Sequence, residues 1–140
     1  MKKLCLILVN IIFICNISFA KGISGVAKVV DGDTIKINGI KIRLFGVDAP
    51  EKNQICKKNW LSISFFILSK NYYCGKVATK KLKKFILNKK VKCVGNQTDK
   101  YNRLIAICYL RNKDINMWLV RNGLAVSYKK YSSKYLHQEK

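Results

Sequence analysis

The sequence predicts a mainly β fold with helices (α+β), built as a five-stranded Greek-key barrel of the OB type. Three observations carry this. Apolar and polar residues alternate with period two through residues 34–47, the signature of half-buried strands. Two further apolar runs flank a polar loop near residue 100. A basic amphipathic segment separates the first group of strands from the second. An α+β sandwich and an SH3-like barrel are the other arrangements open to these elements.

Gly25–Val30 reads as the first strand. Thr34–Ile37 and Ile40–Val47 follow, with Ile35, Ile37, Ile40, Ile42 and Leu44 alternating against Lys36, Lys41 and Arg43. Asn38-Gly39 sits between them, a pair that accepts positive φ and therefore suits a two-residue hairpin turn. The alternation puts Arg43 on the face opposite Ile42 and Leu44. Asn53–Tyr73 has no clear period; its apolar part, Leu61–Leu68, reads as a helix, a buried insertion or a sticky loop. Val77–Leu87 reads as a helix with Val77, Leu82, Phe85 and Ile86 on its apolar side. Lys80, Lys81, Lys83 and Lys84 crowd the other side, as a solvated lysine face does.

Val91–Gly95 and Leu104–Leu110 read as two strands joined by the loop 96–103. Ile115–Arg121 reads as a helix with Asp114 as cap and Gly123 as its stop. Leu124–Val126 is a short extended piece, and Ser132 begins a polar tail.

The first twenty residues carry Lys2-Lys3, the apolar run Leu4–Ile17 and the small-residue site Ser18-Phe19-Ala20. This is the pattern of a secretory signal peptide cut after Ala20, with an uncleaved membrane anchor as the alternative. The domain then spans residues 21–140, enough for one hydrophobic core. The full chain holds 28 Lys and Arg against seven Asp and Glu, a formal charge of +21, and loses two lysines with the signal. Export excludes cytosolic and nuclear roles for that charge. It leaves nucleic acid, anionic lipid or cell-wall polymers as partners, beside the plain reading of a lysine-rich solvated surface.

Cys56, Cys74, Cys93 and Cys108 remain after the signal, and four cysteines in an oxidising compartment allow three connectivities. If the last two strands pair symmetrically about Lys100 and Tyr101, Cys93 faces Cys108. Cys56–Cys74 then forms the second bridge, bracketing the unassigned segment. Zinc is the alternative use of the cysteines, but the chain has no C-x-x-C pair and one histidine, His137.

Four of the seven acids fall between Asp31 and Glu51. A polycation that gathers its carboxylates in one stretch uses local negative charge there, to bind a metal, to move a proton, or both. Asp31 and Asp33 flank Gly32 before the second strand, and Asp48 and Glu51 follow the third. In a three-stranded meander those two places are neighbours, which brings Asp33 near Asp48. Two carboxylates with a backbone carbonyl and waters suit calcium or magnesium. Glu51 stands where a general base would. The chain has four arginines, and Arg43 and Arg103 lie inside the acidic stretch and at the end of the polar loop. An arginine fork can hold two phosphate oxygens and does not deprotonate. Taken singly, Asp-Gly-Asp is a turn and Asp-Ala-Pro-Glu a loop.

Val29-Val30-Asp31-Gly32-Asp33-Thr34, Ile42-Arg43-Leu44, Val47-Asp48-Ala49-Pro50-Glu51, Asp99-Lys100-Tyr101-Asn102-Arg103 and Val120-Arg121-Asn122-Gly123-Leu124-Ala125 together resemble the staphylococcal nuclease (thermonuclease) family. Gln54, Cys56 and Tyr73-Cys74-Gly75 resemble its secreted, cysteine-bearing branch. The resemblance implies an OB-fold, calcium-dependent nuclease that cuts DNA and RNA and leaves 3′-phosphate ends. It assigns calcium to Asp33, Asp48 and the carbonyl of Ala49, with Asp31 in support. It makes Glu51 the base and Arg43 and Arg103 the phosphate clamp. It sets Lys100 and Tyr101 near the bound nucleotide.

The chain departs from the family in Asn102, where glycine is usual, in the apolar stretch 60–69, and in a shortened C-terminus. The expected protein is an exported monomer in periplasm, cell surface or medium, without membrane attachment after signal cleavage. Its alternative is a non-catalytic nucleic-acid-binding module on the same OB fold.

Overall fold

The computed structural model describes residues 22–63, 66–130 and 132–139, so the signal segment read at residues 1–20 lies outside the described residues. The chain forms β1 (Gly22–Val26), β2 (Lys28–Val29), β3 (Thr34–Ile37), β4 (Ile40–Leu44) and β5 (Val47–Asp48). It continues through β6 (Ile55–Ile63), β7 (Phe66–Tyr73), helix α1 (Cys74–Ile86), β8 (Lys90–Thr98) and β9 (Leu104–Leu110). β10 (Lys113–Asp114), helix α2 (Ile115–Arg121), β11 (Val126–Ser127) and a 3-10 turn at Leu136–Gln138 complete it. Among the described residues no helix is long and apolar enough to cross a membrane.

The main sheet runs β1-β8-β9-β4-β3-β2. β1 and β2 are one strand broken at Ala27. Its first half pairs with β8 and its second half with β3, so the sheet curls back on itself. All these pairings are antiparallel except β4 with β9, which is parallel. Counting β1 and β2 as one, five strands in the order 1-2-3-5-4-1 give the OB Greek key.

The hairpin β3–β4 turns at Asn38 (φ 48°) and Gly39 (φ 86°), the left-handed pair that the sequence demands. Its alternation is kept at Ile35, Ile37, Ile42 and Leu44, which are buried in the barrel, but Ile40, beside the turn, is exposed. Cys93 pairs with Cys108 in register across β8 and β9, and the two form a disulfide inside the core. The register slips by one between Val94 and Gln97. A Cβ on Gly95 would strike the Ile105 carbonyl, so the irregular stretch closes tightly over β9.

Several segments differ from the sequence reading: β1 begins at Gly22 rather than Gly25, and β8 runs on to Thr98, into the expected loop 96–103. α1 starts three residues earlier than expected, and its buried side is Cys74, Ala78, Leu82 and Ile86 at i,i+4 spacing. Val77 lies about 100° around the helix from Ala78 and remains exposed. Residues 55–63 and 66–73 form neither a helix nor a buried insertion. They make a separate two-stranded sheet, β6–β7, whose base is stapled by Cys56–Cys74. Alternation failed as a guide there because β7 is exposed on both faces.

The polar tail is packed rather than loose. Tyr135 is wholly buried, and its hydroxyl donates to Asp114 Oδ2 at 3.1 Å. Asp114 Oδ1 accepts from the Met117 N–H at 2.9 Å, so one carboxylate caps α2 and anchors the tail. Burial and the adjacent Asp114 charge push the Tyr135 hydroxyl well above its usual pKa. The Tyr135 ring also covers Gly46, which has φ 70°. A Cβ there would come within 3.2 Å of the ring.

Tyr135→Ala is expected to lower unfolding stability by about 3–5 kcal/mol, as for other large buried side chains. Tyr135→Phe keeps the ring and is expected to cost about 1–3 kcal/mol, because Asp114 loses a donor. Urea titration of both variants checks this; undiminished stability of Tyr135→Phe would mean that the hydroxyl contributes nothing.

Candidate active site

The β2–β3 turn, the β4–β5 bend and the 99–103 loop meet at one end of the barrel. They enclose a cleft of about 220 Å³ lined by Asp31, Gly32, Asp33, Arg43, Asp48, Ala49, Pro50, Glu51 and Arg103. Seven of the expected site residues therefore share a wall, although Arg103 lies far from the others in sequence.

Asp33 is the most buried of these acids. Its Oδ2 accepts the Ala49 N–H at 3.1 Å and pairs with Arg43, and its Oδ1 accepts the Thr34 hydroxyl at 3.1 Å. Its own N–H donates to Asp31 Oδ1 at 3.2 Å, and its carbonyl accepts from the Leu44 N–H at 2.9 Å. Gly32 is required in this turn, because a Cβ would sit 2.6 Å from the Ala49 Cβ and 3.3 Å from the Ala78 Cβ of α1. Arg43 lies opposite Thr34 in the β3–β4 register and bridges to Asp48 Oδ1 at 2.8 Å. The meander thus brings Asp33 and Asp48 to one guanidinium, as the sequence argument expects.

Glu51 is exposed at the rim, and among the described residues its carboxylate makes no hydrogen bond or ion pair. Its backbone is held: its N–H donates to Gln54 Oε1 at 3.1 Å, and its carbonyl accepts from the Gln54 N–H at 2.7 Å. The Glu51 carbonyl also packs on Gly75 so closely that a Cβ at residue 75 would overlap it.

Arg103 is fixed by Asp99, whose Oδ2 accepts from Nε and pairs with Nη2, both at 2.7 Å. Asp99 Oδ1 takes the N–H groups of Tyr101 and Arg103 at 2.9 and 3.0 Å, and Arg103 Nη1 reaches Thr34 Oγ1 at 3.3 Å. Partial burial opposes ionisation of Asp99, but these hydrogen bonds and the Arg103 charge outweigh it and hold its carboxyl below the usual range. Asn102 turns this loop at φ 59°, the left-handed conformation in which asparagine substitutes for glycine.

Lys100 and Tyr101 do not line the cleft. Tyr101 is exposed, with the Arg103 guanidinium 5.4 Å and Lys100 Nζ 5.0 Å from its ring centre. It borders a neighbouring groove with Ile40, Lys41 and Asn102.

Sequence reasoning gave no role to Thr34, which joins Asp33 to Arg103. It also gave none to Asn116, which is wholly buried. The Asn116 amide donates to the carbonyls of Phe45 (2.8 Å) and Ala106 (3.3 Å) and accepts from the Cys108 N–H (3.1 Å). It ties α2 to the bend that carries Asp48. A polar residue among the apolar residues of α2 was the available signal.

Asp33 and Asp48 are hard oxygen donors in a cleft whose lining has four carboxylates and two guanidinium groups. That donor set fits a hard cation such as calcium. Among the described residues no three acidic, His or Cys side chains gather as a metal cage. Such an ion would therefore draw the rest of its ligands from backbone carbonyl, water or substrate.

An OB barrel with this carboxylate–arginine cleft defines a nuclease-like domain. The chain belongs to the staphylococcal nuclease homologue family, whose family model matches residues 41–140. It is similar to the succinoglycan biosynthesis protein ExoI of Rhizobium meliloti, at 36% identity over 109 residues, 76% of this chain and 53% of that protein. An uncharacterized endonuclease of Haemophilus influenzae is 31% identical over 112 residues, 76% of this chain and 53% of that protein. The thermonuclease of Staphylococcus intermedius is 33% identical over 106 residues, 71% of this chain and 56% of that protein. The chain thus spans about half the length of these relatives.

The depressed Asp99 pKa sets an acid limit on the Asp99–Arg103 pair. Its contribution is complete above the ordinary carboxyl value of 3.8 and is lost as pH falls through the lower folded value. The Arg103 Nε–H resonance is expected to titrate with a midpoint below 3.8 and to lose that transition in Asp99→Asn. A midpoint at or above 3.8 would contradict the arrangement.

Proposed function

We propose that the protein is an exported, calcium-dependent nuclease that hydrolyses phosphodiester bonds of DNA and RNA and leaves 3′-phosphate ends. The observation that carries this is the convergence of Asp33, Arg43, Asp48, Glu51 and Arg103 on one open cleft. Membership of the nuclease family supports it. The two disulfides support an oxidising compartment.

The chemistry follows from the arrangement. A phosphodiester is an anion, and the cleft lining carries more carboxylates than guanidinium groups. A cation held by Asp33 and Asp48, with the Ala49 carbonyl as a further ligand, would offset that excess and stabilise charge on the phosphate. Asp31 supports the turn through the Asp33 N–H. The Glu51 carboxylate, exposed and unpaired among the described residues, takes a proton from the attacking water. The water oxygen bonds to phosphorus as the bond to the 5′-oxygen breaks. That oxygen leaves as a hydroxyl after gaining a proton from solvent, and the phosphate stays on the 3′-oxygen. Arg43 and Arg103 donate to the non-bridging oxygens, whose charge grows in the transition state. Lys100 and Tyr101, outside the cleft beside Arg103, would meet the adjoining nucleotide.

Folded protein is expected to release acid-soluble nucleotides from DNA and RNA with calcium and to stop when a chelator is added. Salt-sensitive DNA binding without any hydrolysis would instead establish a non-catalytic module. Glu51→Gln should lower turnover by roughly 10²–10⁴-fold, the range for a lost general base, while DNA binding persists. Undiminished turnover in that variant would remove Glu51 from the reaction.

A further inference from the structure

The β6–β7 hairpin has no counterpart in the chemistry above. It forms a sheet of its own, with neither outer edge paired among the described residues. Its far end is apolar and open to solvent: Phe66 is 63% and Ile67 64% exposed, and Leu61 and Leu68, paired across the strands, are also exposed. An exposed apolar end of this kind marks a contact surface. Directly behind it Lys58 pairs with Lys70, and Lys57 follows one residue further back. Two ammonium groups placed opposite each other repel within the free hairpin, so the pair gains only when something negative faces it.

We propose that this hairpin docks the protein on an anionic lipid bilayer, with its apolar end in the interface and Lys57, Lys58 and Lys70 on the headgroups. The spacing supports it. Ile67 lies three residues beyond Lys70, roughly 10 Å along a strand. This matches the roughly 5–10 Å to which interfacial segments sink below the headgroups. Lysines near an anionic surface add attraction, and the strongly positive charge that remains after Lys2 and Lys3 leave with the signal acts in the same direction. A second copy of the chain is a poorer occupant, since it would bring like charges together. Nucleic acid is poorer too. Aliphatic Leu61, Ile67 and Leu68 at the far end offer bases no stacking face, and the exposed Tyr72 and Tyr73 stand at the base of the hairpin, away from that end. The proposal departs from the expectation of no membrane contact drawn from the sequence. It does not depend on nuclease activity.

The chain has two tryptophans, Trp60 in β6 and Trp118 in α2, which makes the test local to the hairpin. The exported chain, cut after Ala20, is mixed with vesicles of phosphatidylcholine and phosphatidylserine whose acyl chains are brominated, and tryptophan emission is read. Quenching is expected in the native chain and its loss in Trp60→Phe. Phe66→Asp with Ile67→Asp should abolish the quenching, and Lys58→Ala with Lys70→Ala should raise the lipid needed for half-maximal quenching about tenfold. Absence of quenching in the native chain, or equal quenching in Trp60→Phe, would overturn the proposal. So would concentration-dependent self-association of the native chain that the Phe66 and Ile67 substitutions abolish. A tenfold loss of DNA affinity in those substitutions, with vesicle quenching intact, would assign the hairpin to nucleic acid instead.

Discussion

Arg43 is held between Asp33 and Asp48, and much of the molecule is arranged to keep it there. β3 and β4 pair so that Thr34 lies opposite Arg43, and the β4–β5 bend returns the chain so that Asp48 meets the same guanidinium. Asp33 stays ordered through the Ala49 N–H and the Thr34 hydroxyl. One guanidinium against two carboxylates leaves an excess of negative charge in a strongly positive chain. That imbalance makes the cleft electrostatically favourable for a cation. Removing Arg43 would leave two nearby carboxylates facing each other, at a cost beyond the loss of one contact.

The bend that carries Asp48 is supported from behind. Asn116 donates to the Phe45 carbonyl, and the Tyr135 ring covers Gly46. β11 pairs with β5, setting Val126 opposite Asp48. The C-terminal segment is thus structurally part of the site without touching the cleft. Its anchor, Asp114, serves two donors at once, so the α2 cap and the tail share one carboxylate.

How much of this was legible in the sequence follows from where periodicity and chemistry were strong. Asn38-Gly39 fixed a hairpin turn locally, and Ile35 to Leu44 fixed its faces. The Cys93–Cys108 pairing was readable because the register slip lies beyond Val94, on the loop side of the cysteines. The acids stood out because the chain has few. Hairpin β6–β7 was not legible, since no buried face imposed a period on it. Tyr135 was missed because a single aromatic in a polar tail carries no pattern. Its burial is set by Gly46 and Asp114, far away in sequence. Thr34 was not legible because its link to Arg103 spans 69 residues of sequence.

The hairpin and the proposed base share a foundation. Cys56 and Cys74 join the base of β6 to the first residue of α1, and Gly75 then packs on the Glu51 carbonyl with no room for a Cβ. Cys74 Sγ lies 3.4 Å from the Gln54 carbonyl, and Gln54 holds the Glu51 backbone from both sides. Glu51 gains no order from its own exposed side chain, so the order of its segment comes from this knot of bridge, glycine and amide. A surface that orients the hairpin therefore acts on the same knot that positions Glu51. The exposed arm and the segment that carries Glu51 are thus joined through one covalent bridge and the contacts around it.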